Sequence, residues 1–155
     1  MELADILAPR AVLYCTAVAN KRQLFESMAQ RAAELTGLVA QDIAEAIHQR
    51  ESLGSTGLGN GVAVPHGKLV GLQGVTLLFA RLAEPIEFDA MDDQPVDLVA
   101  MLLAPVGAGA DHLKALSCVA RVLRTDATIE LIRRTEEEDA IHALLTAPTT
   151  QTFAA

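Results

Sequence analysis

The chain has 155 residues, of which 51% are hydrophobic and only 3% aromatic, and its formal net charge is −8. This length and hydrophobic content predict one globular domain with an aliphatic core. The acidic balance and the scarcity of aromatic side chains argue against nucleic-acid binding, which needs basic surfaces and stacking platforms, and favour a basic protein partner.

Cysteine usage and the N-terminal residues indicate a cytoplasmic protein. Cys15 and Cys118 lie among apolar neighbours, which predicts reduced thiols rather than a disulfide. The N-terminus begins Met-Glu-Leu-Ala-Asp and lacks the basic start and apolar core of a signal peptide. No uninterrupted run of about 18 apolar residues occurs, so we expect no membrane insertion.

The first third of the sequence predicts a short strand followed by two helices. The strand is expected near 11–14. Asn20 can cap a helix and Gly37 can end it, because asparagine accepts hydrogen bonds from the first turn and glycine adopts the left-handed conformation after the last one. A second helix is expected at 41–52, where apolar residues recur at helical spacing.

The rest of the sequence predicts a cluster of three or four strands and then three helices. Continuous β-favouring runs at 75–82 and 96–104 indicate buried strands. Thr135 and Glu138 have the spacing of a capping box for the last helix. Long buried strands between helical segments predict a three-layer α/β/α domain over 1–147, with a flexible tail at 148–155.

The most informative segment is the glycine-rich run 55–68, which contains His66. Pro65 fixes its own φ and biases Val64 toward extended backbone, and Gly67 allows the chain to turn away afterwards. The histidine is therefore presented at the end of a short strand by a backbone with few alternatives. This arrangement suits a nucleophile, although an ordinary loop histidine is the alternative.

Other site patterns fail when tested against this segment. The spacing between Gly61 and Gly67 does not match a phosphate-binding Walker loop, and Val62 stands where a dinucleotide fingerprint needs glycine. Ser55 beside His66 lacks a nucleophile-elbow sequence, so acyl chemistry is disfavoured. The histidines and cysteines have no metal-ligand spacing. We therefore expect neither a metal nor a cofactor.

Residues 50–67 resemble the signature of the type-2 enzyme IIA domains of the bacterial phosphotransferase system, the mannitol/fructose family. The resemblance continues at 85–90, at 94–98 and at His112, and so covers nearly the whole chain. Within the family, the nitrogen-related branch is the most similar. The resemblance implies the type-2 enzyme IIA fold, a mixed central sheet with helices on both faces.

The resemblance also implies a chemistry for His66. The imidazole would accept a phosphoryl group, through Nε2, from a histidine-phosphorylated carrier of the HPr kind. A histidine is suited to this because a large neutral fraction exists near its ordinary pKa. Since the transition state of phosphoryl transfer is loose, positioning and charge stabilisation dominate.

Two further residues are implied as catalytic supports. Arg50 would stabilise the transferred group through its guanidinium fork, although a cation at the end of a helix is also favoured by the helix dipole. His112 would face His66, although by itself it could be a solvated first-turn residue. Ser55 and Thr56 are candidates to bind phosphate or only to shape the turn, and Gly67 is a third candidate for phosphate contact.

The resemblance leaves the biological role open between two classes. In the first, the protein is a regulator whose phosphorylation state alters binding to targets such as potassium-transport or sensor-kinase proteins. In the second, it passes phosphate to a sugar-specific IIB domain. The nitrogen-related likeness favours the regulator. A scaffold that keeps the fold without phosphorylation is a third class, disfavoured by the presence of His66, Arg50 and His112.

Overall fold

A computed structural model describes residues 1–147 as a mixed six-stranded sheet with five α-helices. The expected tail at 148–155 lies outside the described residues. Two short 3-10 helices, Leu3–Asp5 and Pro9–Ala11, precede the first strand. The strands are β1 Val12–Cys15, β2 Gly57–Gly59, β3 Val62–Ala63, β4 His66–Leu69, β5 Thr76–Ile86 and β6 Val96–Pro105. The helices are α1 Lys21–Thr36, α2 Ala40–Ser52, α3 Gly109–Leu123, α4 Asp126–Arg133 and α5 Glu138–Thr146.

Local capping signals set the bounds of α1, as predicted. The side chain of Asn20 accepts a hydrogen bond from the Gln23 N–H at 2.9 Å, which satisfies a free donor of the first turn. Gly37 ends the helix with a φ of 78°, a conformation that costs glycine little. The apolar face between these caps is buried, so α1 packs on the sheet as its sequence pattern requires.

Strand β6 is the centre of the sheet. It pairs antiparallel with β5 on one side, and parallel with β3 and then β4 on the other. Strand β1 adds parallel to β5, and β2 adds antiparallel to β3, which gives the order β1-β5-β6-β3-β2 with β4 beside the second half of β6. Most residues of β6 are buried, because both faces of the sheet are covered.

Two groups of helices provide that cover. Helices α1 and α2 pack against each other and contact β5 and β4, whereas α3, α4 and α5 contact one another in sequence and reach β6 and β1. The result is the predicted three-layer α/β/α arrangement. None of the helices within residues 1–147 is long and apolar enough to cross a membrane. Both cysteines are free thiols, Cys118 buried and Cys15 half-buried.

Two boundaries differ from the sequence-based prediction. Strand β5 continues beyond the predicted end at residue 82 and through Pro85. This is possible because the pairing register with β6 shifts between Arg81 and Ile86 and no ladder hydrogen bond is needed from the proline. The proposed capping box of α5 does not form. The Thr135 hydroxyl donates instead to the Leu131 carbonyl at 2.7 Å, and the helix begins after Glu137 with no side-chain cap.

Candidate active site

A cleft of about 730 Å³ opens between α2, β4 and α3, and it contains the three predicted catalytic side chains. Arg50 comes from the last turn of α2, His66 is the first residue of β4, and His112 lies in the first turn of α3. The cleft is lined by Ala46, Gln49, Arg50, Leu53, His66, Gly67, Lys68, Gly109, His112, Leu113 and Leu116. Residues far apart in the chain thus converge at one end of β4.

His66 is held by hydrogen bonds on both ring nitrogens. Nδ1 lies 2.9 Å from the Val64 carbonyl oxygen, and Nε2 lies 3.2 Å from Arg50 Nε. Because a carbonyl only accepts and a guanidinium only donates, this pair of contacts requires the proton on Nδ1 and the lone pair on Nε2. In this arrangement the imidazole is neutral, and the lone pair of Nε2 is directed toward Arg50 and the cleft.

The backbone around His66 differs in one respect from the prediction. The strand does not end at the histidine. It is interrupted at Val64 and Pro65 and resumes as β4 at His66, because Pro65 has no N–H for the ladder while its carbonyl still accepts from Leu102 N–H at 2.9 Å.

The requirement for glycine after His66 also has another cause than a turn. Gly67 lies within β4, where a Cβ atom would meet the Cβ of Ala46 in α2 at 3.3 Å. The absence of a side chain at Gly67 therefore lets α2 approach β4 closely. That approach brings Arg50, at the end of α2, beside the imidazole of His66.

Arg50 bridges the histidine and the loop that follows α2. While Nε donates to His66, Nη1 donates to the Gly54 carbonyl oxygen at 2.9 Å. The second bond restrains a side chain that would otherwise be free to rotate at a helix end. The guanidinium is thereby fixed next to the position that a group attached to Nε2 would occupy.

His112 faces His66 across the cleft. The ring centroids are 5.5 Å apart at an interplanar angle of 75°, and His112 is buried. Its Nδ1 atom has no hydrogen-bond partner. An imidazolium would have to bury an unpaired N–H there, so burial lowers the pKa of His112. His66, whenever its ring is protonated, and the ammonium of Lys68 lower that pKa further. The neutral form, with its proton on Nε2, is the form that fits this site.

We expect the NMR titration of His112 in the unphosphorylated protein to have its midpoint below the ordinary value of about 6.5. The depressed pKa means that the unfolded chain binds the proton more readily. Stability attributable to this group is thus present above about pH 6.5 and is lost as the pH falls below that value. A midpoint at or above the value of a free imidazole would contradict the burial argument.

The hydroxyls of the two predicted phosphate-binding residues in the loop donate hydrogen bonds to groups outside the cleft. Ser55 Oγ donates to the Phe88 carbonyl at 2.7 Å, and Thr56 Oγ1 donates to Glu51 Oε1 at 2.7 Å. Neither residue is among those that line the cleft. This geometry favours the second of the two roles considered for them, which is to shape the turn. Gly67, the third candidate, does line the cleft.

Sequence reasoning gave no role to Glu51, which is buried directly after Arg50. A signal was available, because Ile43, Ile47 and Glu51 follow one another at four-residue spacing and so share one face of α2. A charged residue on a core-facing stripe indicates a specific buried partner. Lys68, interpreted from sequence as a surface charge, is exposed at the rim of the cleft.

No group of three histidine, cysteine, aspartate or glutamate residues within 1–147 is arranged to hold a metal ion. The donor set of the cleft is two imidazoles with a guanidinium and an ammonium beside them. Such a set attracts an anion with several oxygen acceptors, because it offers N–H donors and positive charge. The cleft is therefore suited chemically to a phosphoryl group.

Comparison with known proteins agrees with this chemistry. Residues 5–147 match the profile of the family described as the phosphoenolpyruvate-dependent sugar phosphotransferase system, EIIA 2. A nitrogen regulatory protein of Bradyrhizobium diazoefficiens is 49% identical over 148 residues, which cover 96% of this chain and 97% of that protein. A fructose-specific EIIA component of Haloferax volcanii is 39% identical, but over 65% of this chain and 66% of its own length.

Similarity to a solved structure supports the same assignment. The crystal structure of the nitrogen regulatory protein IIA-Ntr from Neisseria meningitidis superimposes with a TM-score of 0.86 and 35% sequence identity, and the match covers 93% of this chain and 99% of that one. Family profile, sequence relatives and fold thus agree over almost the whole described chain. The protein belongs to the EIIA 2 family of the phosphoenolpyruvate-dependent sugar phosphotransferase system.

Proposed function

We propose that His66 accepts a phosphoryl group on Nε2 from a histidine-phosphorylated carrier of the HPr kind, and that the phosphorylation state then regulates other proteins. One observation carries this proposal. The hydrogen bonds of His66 leave the lone pair on Nε2, at the surface of an open cleft and beside a fixed guanidinium. A neutral nucleophile and a cation to receive the phosphoryl oxygens therefore stand together before any donor binds.

The transfer can be written with its bonds balanced. The Nε2 lone pair of His66 forms the new N–P bond while the N–P bond of the donor phosphohistidine breaks, and the donor imidazole keeps that electron pair. Positive charge develops on the ring of His66 as the bond forms. The Val64 carbonyl, 2.9 Å from Nδ1, stabilises that charge by accepting the Nδ1–H hydrogen bond.

Arg50 and His112 have complementary roles in this step. The guanidinium loses its acceptor when the Nε2 lone pair is used, and it can then donate to the oxygens of the arriving phosphoryl group. The neutral ring of His112 can donate from Nε2 on the opposite side of the cleft. No metal or nucleotide is required at this step, because the donor is already a high-energy phosphohistidine.

The surroundings of the cleft suit docking of a carrier protein. Leu53, directly after α2, is 84% exposed and Leu113, in α3, is 66% exposed, and both line the cleft. Large apolar side chains exposed beside a polar site are typical of protein interaction surfaces. An acidic protein would in addition attract a partner with a basic face.

The regulatory role is favoured over sugar transport by the extent of the similarities. The nitrogen regulatory protein of B. diazoefficiens matches this chain over nearly the full length of both, whereas the fructose-specific component matches about two thirds. A phosphoryl group adds negative charge to the cleft, which alters the affinity of a partner that docks there. Potassium-transport and sensor-kinase proteins are the targets we propose to test first.

The experiment is to phosphorylate the chain with phosphoenolpyruvate, enzyme I and an HPr-like carrier, and then to add purified IIB domains of the fructose and mannitol types. For a regulator we expect the phosphoryl group to remain on the chain or to return to the carrier. We also expect target binding to differ at least about tenfold between the two states, which corresponds to about 1.4 kcal/mol. Rapid discharge to a IIB domain would instead assign the chain to sugar transport.

A further inference from the structure

We infer that Glu51 is a positioning residue for His66, acting through a clamp made of Lys21, Glu51 and Thr56. The clamp holds the backbone carbonyl that sets the tautomer of the imidazole, and it does so without contact with the transferred group. The inference deepens the proposed function and rests on it for its kinetic consequence. Its structural consequence can be measured on the unphosphorylated protein.

Both oxygens of the Glu51 carboxylate are occupied by donors within the clamp. Oε1 accepts from the Thr56 hydroxyl at 2.7 Å, and Oε2 accepts from the Thr56 backbone N–H at 3.0 Å and from Lys21 Nζ at 2.8 Å. The Glu51 side chain is 6% exposed and that of Lys21 is 22% exposed. Three donors on a buried carboxylate fix its position, because a movement that broke these bonds would leave buried charge without hydrogen-bond partners.

The ammonium of Lys21 is itself held on two sides. In addition to its bond with Glu51, it lies 4.5 Å from the ring centroid of Phe88, in a cation–π contact. The Phe88 carbonyl accepts from Ser55 Oγ at 2.7 Å. The clamp therefore joins the start of α1, the end of α2 and the loop at 54–56.

A chain of hydrogen bonds leads from the clamp to His66. The Thr56 carbonyl accepts from the Val64 N–H at 3.0 Å, and the Val64 carbonyl accepts from His66 Nδ1 at 2.9 Å. Glu51 thus holds Thr56, and Thr56 in turn holds Val64, whose carbonyl oxygen sets the tautomer of His66. One hydrogen bond joins Thr56 to Val64 and one joins Val64 to His66, so a shift of Thr56 is transmitted to the imidazole.

The clamp also affects the contact between Arg50 and Nε2 of His66. Arg50 precedes Glu51 in the last turn of α2, and its Nη1 donates to the carbonyl of Gly54, two residues before Thr56. Release of the loop would therefore loosen Arg50 together with the Val64 carbonyl. Both contacts that fix the lone pair of His66 on Nε2 depend on the position of the 54–56 segment.

The test compares Glu51→Gln with the wild type, and Glu45→Gln serves as the matched control because Glu45 is exposed on the same helix. Long-range ¹H–¹⁵N NMR of the unphosphorylated protein reports the tautomer of His66. We expect only the Nδ1–H form in wild type and Glu45→Gln, and a detectable Nε2–H population in Glu51→Gln. With carrier as substrate, we expect the maximal transfer rate of Glu51→Gln to fall about 10- to 100-fold, with KM changed less than about twofold.

A second variant covers the case in which Glu51→Gln does not fold, since that change leaves the partly buried Lys21 with only the longer contact to Asp89 Oδ2, at 3.9 Å, as a counter-ion. The double variant Lys21→Met with Glu51→Gln removes both charges together, which is better tolerated than removing one. Like the single variant, it replaces one of the two oxygens that accept from Thr56 by an amide NH2 group, which cannot accept, so the tautomer shift and the slower transfer are expected again. A folded variant with wild-type tautomer, or with wild-type maximal rate, overturns the inference.

The two readouts separate this inference from the proposed function. If wild type is not phosphorylated by any carrier, the proposed function fails, whereas the tautomer comparison still decides whether the clamp positions His66. If wild type is phosphorylated and Glu51→Gln transfers at the wild-type rate, the clamp is only structural. A change confined to KM would likewise place Glu51 in carrier docking and overturn a positioning role.

Discussion

Replacement of His66 by alanine is expected to abolish phosphoryl acceptance from the carrier. Removing the imidazole removes the lone pair on Nε2, which lies 3.2 Å from Arg50 Nε. Since the side chain is half-buried at the start of β4 and packs on the rim of a cleft, the fold should survive its loss. Transfer of labelled phosphate from the carrier to the chain measures the effect.

His48→Gln is the matched control for that measurement. His48 lies on α2 with its ring in edge contact with Phe25 at 5.0 Å between centroids, and it is not among the residues that line the cleft. It should accept phosphate at the wild-type rate. Labelling of His66→Ala to the wild-type level would show that the nucleophile is another residue, and the site assignment would then be wrong.

Replacement of Arg50 by alanine is expected to slow phosphoryl transfer by a factor of about 100 to 1,000, the usual effect of removing a charged or oriented donor from a developing anion. Two contributions are lost together: charge stabilisation of the phosphoryl oxygens and the donor that holds the lone pair on Nε2. The loss should fall on the maximal rate, measured by rapid quench at saturating carrier. Arg50→Lys should recover only part of it, because an ammonium lacks the planar fork.

Arg22→Ala provides the charge-matched control, since Arg22 is exposed on α1 and its removal changes the net charge equally. Because Arg22 is exposed and is not among the residues that line the cleft, its charge is screened by salt and its removal should leave the rate unchanged. An Arg50→Ala variant with a raised KM and a normal maximal rate would assign Arg50 to carrier docking rather than to the transferred group.

Those parts of the fold that depend on local signals could be predicted from the sequence. Asn20 and Gly37 bound α1 as expected, because their side-chain and backbone preferences act within a single turn. The long apolar runs of β5 and β6 were recognisable because both faces of the central strands are buried. The start of the last helix was less predictable, since the Thr135 hydroxyl donates to the Leu131 carbonyl instead of capping α5.

Features that depend on distant partners could not be predicted locally. The continuation of the strand at His66 requires β6 as a neighbour. Five strands rather than three or four follow α2, because the short strands β2, β3 and β4 are defined by their pairing partners. Proximity of Arg50, His66 and His112 was expected only from the family resemblance, because helical periodicity does not state which ends of α2, β4 and α3 meet. The partners of Glu51 are likewise set by tertiary packing, with Lys21 contributed from another helix.

The most direct measurement of the central claim is the intact mass of wild type and His66→Ala after incubation with phosphoenolpyruvate, enzyme I and an HPr-like carrier. Peptide fragmentation under non-acidic conditions then locates the modified residue. We predict a single acid-labile phosphoryl adduct on wild type, located at His66, and none on the variant. Absence of an adduct with every carrier tested, or an adduct at another residue, would contradict the account of the cleft as a phosphoryl-accepting site.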